Sequence, residues 1–260
     1  MKKILLTFTF LYVGFFLFAQ NNTKWHIGLQ MGGDQAFGDI NKKWNVRQNL
    51  NSYSGYDYDY SYNSESLLSN SSAFFMEIKT EYHLSNKLSL ASGISFTKLN
   101  VSFTGNGTNG NYFFLRVSDA NATQMDCFRI KSIDEENNYL GVPLELKYTP
   151  FRIGRFGFYG KIGTDIGFLI HKKTHINFQL PEMQQYENEV FESVGTKTNS
   201  LLSTLRGGLG ISYTTKKDWV LNFDIFSGGS FLTENNSRLI NLKSMSGVQC
   251  SIMLPLNIKK

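Results

Sequence analysis

Apolar residues recur at every second position along much of this chain, in runs parted by polar or glycine-rich stretches. Trp25, Ile27, Leu29 and Met31 share a first face. Phe74, Met76, Ile78, Tyr82 and Leu84 share a second, interrupted at Thr80, and Leu88, Leu90, Ile94 and Phe96 a third. The stretch NYLGVPLELKYTPF, residues 138–151, sets Leu140, Val142, Leu144, Leu146 and Tyr148 against Gly141, Pro143, Glu145 and Lys147. Phe156, Phe158, Ile162, Ile166, Phe168 and Ile170 make a fifth face, and Leu205, Leu209, Ile211 and Tyr213 a sixth. Trp219, Leu221, Phe223 and Ile225 make the seventh, and Val248, Cys250, Ile252 and Leu254 the eighth. Period-two alternation marks strands whose two faces meet different surroundings. Helical spacing is hard to find after residue 20.

The connections alternate in length. Residues 85–87, about 149–155 and about 215–218 form short turns. Residues 37–72, 104–137 and 171–200, and a shorter stretch at 228–241, form long ones. Strict alternation predicts strands running up and down, with all short turns at one end and all long loops at the other. An even count of eight closes such a set into a barrel, and outer-membrane barrels carry short periplasmic turns and long outer loops. The faces opposite the apolar ones carry Glu77, Lys79, Glu81 and His83, then Glu145 and Lys147, Lys161 and Asp165, Arg206, Asp224 and Gln249. Eight strands leave an interior just wide enough for side chains. An unpaired charge there costs several kcal/mol, so Glu77, Lys79, Glu81, Glu145, Lys147, Lys161, Asp165, Arg206 and Asp224 are candidate lumen ion-pair partners. A soluble lipocalin-like barrel would reverse the faces. Three features favour the membrane form: both signs of charge on the polar face, aromatics near strand ends (Trp25, Tyr82, Tyr148, Phe156, Tyr213, Trp219), and clear apolar runs of about 9–11 residues, the length of a tilted spanning strand. The expectation is an all-β, eight-stranded antiparallel up-and-down transmembrane β-barrel. Pro143 has no N–H to give a ladder, so the pairing of the fourth strand is expected to be irregular there.

The first twenty residues stand apart. Lys2 and Lys3 precede the apolar run 4–18, and Ala19 suits the position before cleavage, which reads as a secretory signal peptide over 1–20. The run is short for a spanning helix, and no cysteine near it supports a lipid anchor. Residues 21–260 are then the barrel domain. The net charge of +5 falls by two, to +3, when Lys2 and Lys3 leave. No concentrated basic stripe is present, so no nucleic-acid partner is expected. Export makes a disulfide between Cys127 and Cys250 chemically feasible, but spacing alone does not decide it.

The fourth segment also resembles the signature strand of the PorT-like outer-membrane β-barrel family, through Tyr139, Leu140, Val142, Pro143, Leu144, Leu146, Lys147 and Tyr148. Gly141 stands where that family often has a larger or acidic residue, and the chain ends LPLNIKK rather than on an aromatic. The resemblance implies an integral outer-membrane protein of a Gram-negative bacterium. The family's namesake belongs to an apparatus that secretes proteins across the outer membrane.

Candidate chemistry is sparse. His171 and His175 in HKKTH would lie about 13 Å apart on one face of a strand, too far for one metal, and read as the entry to a solvated loop. His26 and His83 sit at the short-turn end, not at the outer rim where a lipid-modifying site would need them. No catalytic, cofactor-binding or metal-binding residue is assigned. Tyr56, Tyr58, Tyr60 and Tyr62 share a face of the first long loop and are candidate recognition residues, since tyrosine gives contact area at low entropic cost. Residues 105–111, GNGTNGN, read as a flexible loop. Lys87, Arg152, Arg155, Lys216 and Lys217 cluster in the short turns as interfacial anchors or a docking face for a protein. The functional expectation is a non-enzymatic membrane scaffold or interaction protein with a plugged polar lumen. Its expected partners are outer-membrane lipids and a periplasmic or extracellular protein. The alternatives are a transport or secretion accessory and a rim enzyme.

Overall fold

The structure, a computed structural model, describes residues 25–41, 43, 44, 46, 47, 67–105, 113–118 and 125–256. The leader, the four loop tyrosines, residues 106–111 of the glycine-rich stretch and residues 257–260 lie outside the described residues.

Eight long strands form the wall: β1 (Trp25–Ile40), β3 (Leu67–His83), β4 (Leu88–Gly105), β6 (Met125–Ile153), β7 (Phe156–Phe178), β8 (Leu201–Thr214), β9 (Val220–Phe231) and β10 (Ile240–Pro255). Each pairs antiparallel with its neighbour in the chain, and β1 pairs with β10, so the ring closes. Two short strands lie in the long connections: β5 (Phe113–Ser118) pairs with the far end of β6, and β2 (Val46–Arg47) pairs with β5. A 3-10 turn (Pro181–Tyr186) and a helix, α1 (Glu187–Val194), fill the connection from β7 to β8. That helix is absent from the sequence reading. Its only apolar signal is Val190 and Val194 one turn apart, with Phe191 beside them, too short a run to stand out.

The short turns are tighter than expected. Strand β6 continues through Phe151–Ile153, so the turn to β7 is Gly154 and Arg155, with Gly154 at φ +60° where a side chain would be strained. In the β3–β4 turn, the Ser85 hydroxyl accepts from the Lys87 and Leu88 amides at 3.2 and 3.1 Å.

The strands also run further than the apolar faces suggested, because the apolar side changes partway. On β4, Ile94 and Phe96 point outward and are exposed, whereas Leu99, Val101 and Phe103 point inward and are buried. The same exchange occurs on β6, from exposed Leu140 and Leu144 to buried Ile133 and Ile130, and on β7, from exposed Phe168 and Ile170 to buried Ile176 and Phe178. Below the exchange the wall has an apolar exterior around a polar lumen. Above it the exterior is polar and the interior apolar. The outer row of Lys98, Asn138 and His171, in register across β4, β6 and β7, marks the upper edge of the belt. HKKTH is therefore strand, not the loop entry expected.

Pro143 behaves as expected on one side only. The β4–β6 ladder lacks the pairs opposite Pro143 and Val142 and resumes in the same register, while the β6–β7 ladder runs through Pro143 opposite Asp165 unbroken. In an antiparallel ladder a residue's N–H and C=O point to the same neighbour. The Pro143 carbonyl faces β4, where it accepts the Ser92 hydroxyl at 2.9 Å, so the missing N–H is missing on that side.

Candidate functional site: a filled lumen beneath an apolar cap

Inward positions of four strands meet at Glu145, and β9 and β10 join through Lys161 and Gln30. One carboxylate oxygen meets the Lys79 ammonium; the other accepts from Lys161 at 3.2 Å and Gln30 at 3.2 Å. Gln30 also lies within donating reach of Glu77 (3.0 Å) and Gln249 (3.2 Å), and its carbonyl accepts from Lys79. Lys161 bridges onward to Asp224 at 3.3 Å, which also accepts from Gln249. Nearer the short turns, Lys147 pairs with Glu81 at 2.6 Å and stands 5.2 Å from the centre of the Tyr159 ring. Nearer the cap, Arg206 lies between Asp34 (3.8 Å) and Glu77 (3.9 Å), over the rings of Phe75 and Phe226. Asp165 accepts the Ser95 hydroxyl at 2.9 and 3.0 Å and has no cation within pairing distance among the described residues. Two cavities between these side chains have volumes of about 10 and 20 Å³, roughly one water each.

All nine charged lumen candidates face inward, but Gln30 and Asp34 were missing from them. Both sit opposite the Leu29–Met31 face and were readable by parity alone. Gln30 is uncharged, and Asp34 lies beyond the point where the apolar run of β1 fades.

Gly141 also finds its reason here. A Cβ on it would fall 2.7 Å from the Ser95 hydroxyl and 2.8 Å from an Asp165 oxygen. Asp165 of β7 and Ser95 of β4 thus fill the space that a side chain here would take. Gly141→Leu is expected to force these groups apart and lower stability by about 1–3 kcal/mol, read as a shift in the urea midpoint of the micelle-bound protein. An unchanged midpoint would show that the space is not needed.

Above the lumen, residues from nearly every element form one apolar core. Leu99, Phe103, Ile133 and Ile176 come from the wall, Phe113 and Leu115 from β5, Val190 and Val194 from α1, and Trp44 and Leu239 from the connections. Trp44 is fully buried, and its indole N–H donates to the Arg238 carbonyl at 2.8 Å. The connections are pinned by one carboxylate, Glu135, which is 2% exposed. It accepts from the Arg238 amide (2.9 and 3.1 Å), Thr198 (2.7 Å), Asn137 (2.9 Å) and the Ser237 hydroxyl. Nothing in the local sequence marks Glu135 as special, because its partners other than Asn137 lie in two distant connections.

The remaining candidates are scattered. His26 and His83 meet ring to ring at the short-turn end, with nitrogens 3.1 Å apart. His175 faces outward and contacts Glu187 at 3.0 Å. Lys87, Arg152, Arg155, Lys216 and Lys217 are exposed at the short-turn end, Arg152 on β6 itself. Trp25 packs on Tyr82 and Phe156 on Tyr213 at that same level, with ring centres 4.7 and 5.1 Å apart. Cys250 is a free thiol on the apolar exterior.

A closed ring of eight antiparallel strands, with an apolar belt outside and paired charges inside, defines an eight-stranded transmembrane β-barrel. Among solved structures it is similar to Ail of Yersinia pestis, crystallised with the heparin analogue sucrose octasulfate (12% identity over 88% of this chain and 98% of that one, TM-score 0.32). It is also similar to outer membrane protein AlkL, solved in DMPC lipid bilayers (12% identity, 93% and 96% covered, TM-score 0.33), and to the toluene transporter TbuX of Ralstonia pickettii (8% identity, 88% and 89% covered, TM-score 0.23). No family model matches the chain, and no curated protein matches it. These TM-scores are low, and the barrel's class is defined instead by its own ring order, register and belt.

Proposed function

We propose that this chain is an integral outer-membrane protein of a Gram-negative bacterium, exported by its leader, that serves as a non-enzymatic scaffold rather than a pore. The observation that carries this reading is the filled lumen. Side chains from five strands meet at Glu145 and Gln30, and the two cavities between them hold about one water each. In this reading lipids surround the belt, and the long-loop end, ordered by its apolar core, is the surface offered to a protein partner. Purified protein in planar bilayers should give no conductance above that of the bare bilayer. Sustained conductance would overturn the closed-lumen reading.

A second reading is favoured by the PorT-like fourth strand and by five exposed basic side chains around the short turns. Here the barrel is a secretion accessory, docked to a periplasmic partner through that face. Extraction in mild detergent should then recover a partner that is lost when Lys87, Lys216 and Lys217 are changed to glutamate. Recovery of the barrel alone from the unaltered strain would count against it.

A further inference from the structure

His26 and His83 come together at the short-turn mouth of the lumen. His26 faces Glu81 across the β1–β3 ladder, and His83 lies two residues beyond Glu81 on the same inward face. The two rings are therefore diagonal neighbours, within reach of each other for side chains of this length. His83 Nε2 stands 3.1 Å from His26 Nδ1, and the ring planes are 86° apart with centres 4.9 Å from each other. His26 is 8% exposed and His83 is half-buried. On its other side the His26 ring hydrogen-bonds the Asp218 backbone in the β8–β9 turn. A backbone acceptor there keeps the N–H on Nε2 and leaves Nδ1 a lone pair, the arrangement that orients histidines bound to metals. The charges nearby balance. Lys147 is paired with Glu81 at 2.6 Å, and Arg152 and Asp218 add one of each sign.

Two imidazole nitrogens this close have two options. Either one ring donates its N–H to the other, or both turn lone pairs to a shared cation. Nitrogens held about 2.0–2.1 Å from one metal are about 3.3 Å apart in a tetrahedral shell and about 2.9 Å apart at right angles. The observed 3.1 Å lies between these values, so the rings need to turn but not to separate. With His26 Nδ1 as the acceptor, the N–H that links the rings belongs to His83. Moving that proton to His83 Nδ1 frees the second lone pair without changing the net charge. Imidazole ligands suit Cu2+, Ni2+ and Zn2+, whereas Mg2+ and Ca2+ take oxygen. Among the described residues no third ligand joins the two, so water completes the shell from the short-turn side. His171 and His175 do not repeat this arrangement. They lie four residues apart on one strand, β7, or about 13 Å.

We propose that His26 and His83 form a binding site for a divalent first-row transition-metal ion at the short-turn mouth of the barrel. The test places the purified barrel, without a polyhistidine tag, in phosphatidylcholine nanodiscs and titrates Cu2+, followed by electron paramagnetic resonance. Saturation at one ion per barrel, with nitrogen coupling from two imidazoles, is expected. The chain has four histidines, so His171→Gln with His175→Gln leaves only the mouth pair and should keep both the affinity and the two-imidazole coupling. His26→Asn and His83→Asn, each checked for folding by heat-dependent gel mobility, should weaken binding by about tenfold or more. The variant lacking the outer histidines assigns the site even where a mouth variant fails to fold. No saturable binding, loss of the two-imidazole coupling in the His171→Gln, His175→Gln protein, or full affinity in folded His26→Asn or His83→Asn overturns the proposal.

Discussion

Glu145→Ala is expected to lower the unfolding free energy of the barrel by about 3–5 kcal/mol, the range for removing one partner of a buried ion pair. The carboxylate holds Lys79 and Lys161 at once. Without it Lys161 keeps Asp224, but Lys79, with a side chain 5% exposed, keeps among the described residues only the Gln30 carbonyl within bonding reach, with the carboxylates of Glu77 and Glu81 farther off. The loss is thus mainly that of an ammonium left without its paired carboxylate in an enclosed interior, and a second substitution separates that from simple loss of packing. Lys79→Met in the Glu145→Ala background removes the stranded charge at similar length and should recover much of the loss. Urea titration in micelles, read by the heat-dependent gel shift, measures both. A double variant no more stable than Glu145→Ala would show that the stranded charge is not the cause.

Glu135→Ala should leave the barrel wall standing and release the cap. Four donors from β6 and two connections lose their acceptor, and a hydrogen bond to a charged group contributes about 1.5–3 kcal/mol net. Some donors will find water once the connections loosen. A local loss of about 3 kcal/mol is therefore expected, roughly a hundredfold in protease nicking when cleavage follows the open population. Cuts should fall in 195–200 and 232–239, with the heat-dependent mobility of the wall retained. Unchanged nicking would mean that the apolar core beneath, with Trp44 and Leu239, holds the connections without the carboxylate. The contrast between the two acids is one of place. Glu145 is bonded across the wall at the level of the belt, where global unfolding is needed to free it, whereas Glu135 sits where the chain can open locally.

Strand number, order and direction were legible because a lipid-facing residue recurs at every second position and the turns alternate in length. The same regularity limited the reading. Following one apolar face up β4 loses the strand at Lys98, although Leu99, Val101 and Phe103 continue it on the other face. Helix α1 was missed because eight residues with two buried valines give no lasting period.

The sequence by itself thus determined a chain of eight alternating strands, the apolar side of each at the belt, and the charges that must lie opposite. Those follow from the pleat, which acts between neighbours in the chain. Which charge meets which was decided by register around a closed ring, and so was the pairing of Glu145 with Lys79 and Lys161 rather than with Lys147 two residues away. The cap was decided the same way: Trp44, Glu135, Thr198 and Arg238 are far apart in sequence and share no periodic signal. Only the folded chain brings them within bonding distance, because an apolar core above the membrane needs side chains from every long connection to close it.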